Sequence, residues 1–170
     1  MPTGLKASSS VISVGFSVDE PAANTFAQAS VDLNLSPLDR EVFVVLAINL
    51  DPFTPDSIAG TSTAVSSSLT TTSQTGVVNL SNANCLAASS NHIKMNAGSV
   101  DGVSFQSLGL ETPPANLDYI GIIATNDFFV QVIGTGNGGP RGMDGKLYGY
   151  RARASADIYA ALVQSEVLSA

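Results

Sequence analysis

Tryptophan is missing from this chain, and its 170 residues contain one cysteine and one histidine. Cys85 alone excludes an intrachain disulfide and a cysteine-rich zinc site. A single imidazole, His92, is too little for a histidine-based metal centre. A serine–histidine–aspartate system would need partners brought from afar, and no G-x-S-x-G elbow occurs. Charge is scarce as well: Asp, Glu, Lys and Arg make up 12% of the chain, about half the usual share. The net charge is −7, and the first ten residues, MPTGLKASSS, hold one lysine. Without a basic arm, direct nucleic-acid binding is not expected. Long apolar runs are lacking too. The longest, VFVVLAI (42–48), is too short to span a bilayer, and VISVGF is too short for a secretory leader, so no transmembrane segment and no signal peptide are expected.

What is present is alternation. In VISVGFSVDE, Ile12, Val14, Phe16 and Val18 share one face, and Ser13, Gly15, Ser17 and Asp19 the other, as in a half-buried strand. AQASVDLNL (27–35) repeats the pattern, and Ser36-Pro37-Leu38-Asp39 reads as a turn. EVFVVLAINLD (41–51) is apolar on both faces, the mark of a central strand covered on each side. Residues 61–75 are 11 Ser or Thr out of 15 and read as an exposed strand or a long surface loop. GVVNLS (76–81) reads as a short strand, 82–98 as loop followed by a short strand around His92–Met95, and GVSFQSLG (102–109) as a strand closed by Glu111-Thr112-Pro113-Pro114. DYIGIIAT and FFVQVIG, linked by Asn126-Asp127, carry a hairpin signal. KLYGYRARA (146–154) alternates again. SADIYAALVQSEVLS then changes period, with Ser155 as helix cap, Asp157 in the first turn, and Ile158/Leu162 and Tyr159/Val163 at i,i+4. The fold class is all-β: an antiparallel β-sandwich, a single jelly roll of eight to ten strands with a short C-terminal helix or tail. Residues 1–10 are expected as a flexible N-terminal arm, 11–154 as the sandwich and 155–170 as the helix or tail.

GTGNGG (134–139) matches G-x-G-x-x-G after a strand-like run. A dinucleotide loop needs a helix to begin at once, so that its N–H groups and dipole hold the pyrophosphate. Here Pro140-Arg141-Gly142-Met143-Asp144-Gly145 follows, and then alternation, so the loop reads as a mobile or partner-contacting connection between strands, and no cofactor is expected. DPFTPD (51–56) makes Asp51 and Asp56 weak candidates for calcium, although the spacing is not that of an EF-hand; both also suit turn starts. Four of the seven basic residues, Arg141, Lys146, Arg151 and Arg153, fall close together near the C-terminal end.

An acidic, tryptophan-free chain with strands from 11 to 154, long polar loops, a Ser-rich N-terminal arm and a C-terminal tail resembles the single jelly-roll capsid proteins of tailless icosahedral viruses. The resemblance implies a virion structural protein that forms or decorates a capsid by self-assembly. Its partners would be copies of itself and other virion proteins, and it would not be an enzyme. It also implies that both termini tie neighbours together, so that Arg141, Arg151, Arg153, Tyr159 and Leu162 are expected assembly contacts. Deleting 156–170 would then weaken assembly more than folding. The chain departs from the small capsid proteins that package their own genome through a basic arm. A membrane or another protein would shield the genome, or the chain would decorate an existing shell. The competing readings are a lectin-like or adhesive β-sandwich, against which the missing tryptophan counts, a surface-layer or filament subunit, and a carboxylate-based enzyme.

Overall fold

The computed structural model describes residues 2–96, 98–108 and 117–169. Ten strands are found among them: β1 (Leu5–Ala7), β2 (Ile12–Asp19), β3 (Ala27–Asp32), β4 (Glu41–Pro52), β5 (Thr63–Thr70), β6 (Cys85–Met95), β7 (Gly102–Leu108), β8 (Gly121–Ile123), β9 (Asp127–Thr135) and β10 (Gly142–Ala154). One helix, α1 (Ala156–Leu168), closes the chain. The strands form two five-stranded antiparallel sheets. The first runs β1-β10-β4-β8, with β2 also on β10, and the second runs β3-β9-β5-β6-β7. The pairings are nested: β5 with β6, β4 with β8, β3 with β9, β2 with β10. The chain is therefore one long antiparallel hairpin rolled into two layers, the jelly-roll topology, with β7 added at the edge beyond β6.

The alternating faces meet between the sheets. Val14, Phe16 and Val18 of β2, Phe43, Val45, Ile48 and Leu50 of β4, and Met143 and Leu147 of β10 face Val65, Leu69, Ala87, Phe128, Val130 and Val132 of the second sheet. Phe16 and Phe128 meet edge to face across the layers, with ring centroids 5.5 Å apart. A second cluster explains why β4 is apolar on both sides. Val42 and Val44, with Ala152, Ala154 and Leu5, face outward from the first sheet, and Ile158, Tyr159, Leu162 and Val163 of α1 lie on them.

Several expectations need correction. The segment expected as an arm carries β1, which pairs Leu5 with Ala154, and Leu5 is buried. Gly4, at φ +81°, passes so close to Ile158 of α1 that a Cβ would collide with it, so this stretch lies along the sheet. Asn126-Asp127 is not a hairpin turn. Neither residue has positive φ, and the two strands belong to different sheets, β8 beside β4 and β9 beside β3 and β5. Asn126 instead accepts the Leu35 and Leu33 N–H groups and anchors the exit of β3. The strand expected over 76–81 is a set of turns, because Asn79 and Asn82 side chains accept the N–H two residues on. The Ser/Thr-rich stretch holds a strand, as one of its two readings had it, but not an exposed one: β5 is central, and Thr63, Ser67, Ser68 and Thr70 are buried. The short strand around His92–Met95 is the end of an eleven-residue one. Glu111 to Pro114 lie outside the described residues.

Candidate functional site

The glycine loop between β9 and β10 does bind anions, but they are the chain's own carboxylates. The Gly134 and Arg141 N–H groups donate to Glu20 at 2.6 and 2.8 Å, and those of Gly138 and Gly139 donate to Asp56 at 2.9 and 3.3 Å. The Arg141 guanidinium pairs with Asp56. Asn137 accepts the Asp56 N–H and donates to the Ala64 carbonyl, while Asn24 bonds the Asn137 backbone in both directions. Gly136, at φ +70°, sits where a Cβ would come within 2.7 Å of the Ser62 carbonyl. The connection, expected as mobile or partner-contacting, is thus fastened to the chain's own carboxylates at both ends. Asp56 is committed to Arg141 and two amides. Asp51 stands on β4 opposite Asp144 of β10, and the described residues hold no cluster of three metal-binding side chains.

The outward face of the second sheet carries a hydroxyl and amide network. Gln131, fully buried, accepts from Ser68 at 2.7 Å and donates to Thr70 and Gln28 at 2.7 and 3.0 Å. Gln28 in turn accepts the Gln74 N–H and donates to Ser73. Small hydroxyl side chains suit β5 because each reaches an amide or carbonyl: Ser68 bonds Gln131, Ser67 the Ser89 carbonyl and Thr70 the Thr72 carbonyl. Beside them, Ser66, Ser90, Ser107 and Ile133 floor an open groove of about 720 Å³, walled by Val77, Val78 and Leu80.

The five expected assembly contacts all have partners within the chain. Arg141 is bound to Asp56. Arg151 donates to the Leu33 carbonyl at 2.9 Å, tying β10 to the other sheet. Arg153 stands 3.9 Å from Asp39 on the surface, a pairing worth little. Tyr159 and Leu162 lie on the second apolar cluster. Sequence reasoning missed Glu166, the buried side chain of α1, which accepts the Ala124 and Thr125 N–H groups at 2.7 and 3.0 Å. Its helical position beyond Leu162 was the available signal, since i+4 continues the same face.

Burial pushes the Glu166 carboxyl above its ordinary value, and the two amide bonds offset that only in part. The folded chain therefore holds this proton more tightly than the unfolded chain. The Glu166 contribution is fully present below the ordinary glutamate value and is lost as pH rises through the raised one. Comparing urea midpoints across mildly acidic pH should show the wild type losing stability relative to Glu166→Gln as pH rises. Parallel slopes would refute the assignment. Burial likewise raises the Cys85 thiol, which donates to the Ala87 carbonyl.

The β7 edge is a bare surface. Every residue of β7 is exposed, including Val103 at 68% and Leu108 at 56%, and Val100 just before it is 77% exposed. Phe105 stacks on His92 with centroids 4.8 Å apart, and His92 Nε2 lies 2.8 Å from the Ser90 hydroxyl. No acidic group completes a catalytic relay among the partners described for that pair.

No family model matches the chain, and no curated protein matches it. A solved chain described as Desmodium yellow mottle tymovirus is similar over 92% of this chain and 95% of its own, at 14% identity and a TM-score of 0.32. A likeness this loose carries no argument about function.

Proposed function

We propose that the chain is a structural building block that assembles with copies of itself into a shell, or decorates one, as a virion protein would. One observation carries this reading: β7 holds no charged side chain and exposes Val103, Phe105 and Leu108 along an edge that no strand covers among the described residues. Edge strands left open and apolar are templates for pairing, and soluble monomers ordinarily blunt them with charge or proline. The jelly roll itself serves shells and ligand-binding domains alike, so the fold supports the reading without deciding it. The role is structural rather than catalytic.

Sedimentation velocity over a concentration series tests the proposal. The expected result is a mass that climbs in steps well beyond the 17.4 kDa chain. A single species of that mass at every concentration would sink it. The groove of about 720 Å³ favours a second reading in that event, a binding module for a small polar ligand, since ligand pockets commonly have this size.

A further inference from the structure

We infer that β7 is the strand through which two copies join their second sheets, pairing antiparallel with the β7 of a second copy. The inference rests on the assembly reading above and names its contact. β7 is bonded on one side to β6 along its whole length, from Leu108 opposite Ser89 to Gly102 opposite Met95. Among the described residues, no strand pairs with its other side. Its sequence, GVSFQSL, holds no charged residue and no proline, the two devices that usually protect an edge.

The occupant follows from charge and symmetry. Each copy carries a net charge of −7, so two copies repel over most of their surfaces and approach best where neither is charged. A basic or acidic partner finds no counter-charge on β7, whereas an uncharged strand with exposed valine, phenylalanine and leucine matches it. β7 is itself such a strand. An antiparallel pair of identical strands is self-complementary about a two-fold axis, and every contact is made twice. Seven residues give about 23 Å of edge. One such contact is smaller than a stable dimer interface, which commonly buries about 800 Å² per partner. It is therefore one link of a larger assembly and gains strength from the others.

The test uses the full-length chain with Val103→Glu and Ser107→Glu together, and separately with Val103→Lys and Ser107→Lys. Both positions are exposed and on the outward face, so the thermal midpoint should stay near that of the wild type. Each variant alone should associate at least about tenfold more weakly, because like charges face each other across the new ladder. Mixing the two should restore association, read by sedimentation. Unchanged assembly of either variant, or no recovery on mixing, would overturn β7 pairing and leave self-assembly standing. A wild type that stays monomeric would overturn the assembly reading and this inference with it. Protection from hydrogen exchange, in a dilute monomer, of the β7 amides that point away from β6 would show the outer edge already occupied within the chain, and would overturn the inference alone.

Discussion

Removing residues 156–170 should leave a chain that no longer folds stably. α1 covers Val42, Val44, Ala152 and Ala154, and its own Ile158, Tyr159, Leu162 and Val163 are half-buried against them. Re-exposing that cluster costs about 1 kcal/mol or more for each large side chain. Losing Glu166 also removes its bonds to the Ala124 and Thr125 amides, which water then takes up, at about 0.5–1.5 kcal/mol each. Together these losses approach the whole stability of an ordinary domain, about 5–15 kcal/mol. The expected outcome is insoluble protein, or a soluble fraction without a cooperative melt. This reverses the sequence-based expectation that the deletion would weaken assembly more than folding. A truncated chain melting within a few degrees of the wild type would restore that expectation and show α1 to be dispensable.

Glu20→Ala should be the most damaging single change in the glycine loop. Glu20 is buried and accepts two amides, those of Gly134 and Arg141, from residues more than a hundred positions away. Bonds of this kind to an ionised acceptor are worth roughly 1.5–3 kcal/mol each, and the alanine leaves both donors without a partner. A loss of about 3–5 kcal/mol is expected, or roughly 10 °C in the melting midpoint for a chain of this size. Glu20→Gln should lose less, because its remaining carbonyl oxygen still accepts one amide. The neighbouring Asp19 is exposed, and Asp19→Ala should stay within about 0.5 kcal/mol. Equal effects at 19 and 20 would mean that the carboxylate does not hold the loop.

The two cases show what the sequence made legible. Period-two alternation identified β2, β3, β4 and β10 because each buries one face or both, and burial leaves its mark on every second residue. Apolar residues on both faces of β4 correctly required a second cover, and the i,i+4 pairs after Ser155 supplied it. The sequence leaves open whether the stripe belongs to a helix or to a tail ordered on a partner; within the chain, it lies on the outer face of the first sheet. β5 was hidden because its burial is polar. Hydroxyls that bond Gln131 and neighbouring carbonyls leave no hydrophobic period to read. The β8–β9 link looked like a hairpin because adjacency in sequence was taken for pairing, whereas the rolled hairpin sends β8 and β9 to opposite sheets. Glu20 and the glycine loop are 114 residues apart at their shortest bond, and no local rule joins them. The glycine loop's backbone amides gather Glu20 and Asp56, which the local context of the loop did not announce. As for the candidate surface, 102–109 was legible as a strand, but that it would lie at the edge with both faces bare depends on what pairs with β6.

The most direct test of the account is negative-stain imaging of the purified, concentrated chain. Closed shells, rings or regular arrays built from repeating units are the expected result. A field of dispersed particles no larger than one chain, at concentrations where the protein remains folded, would contradict it.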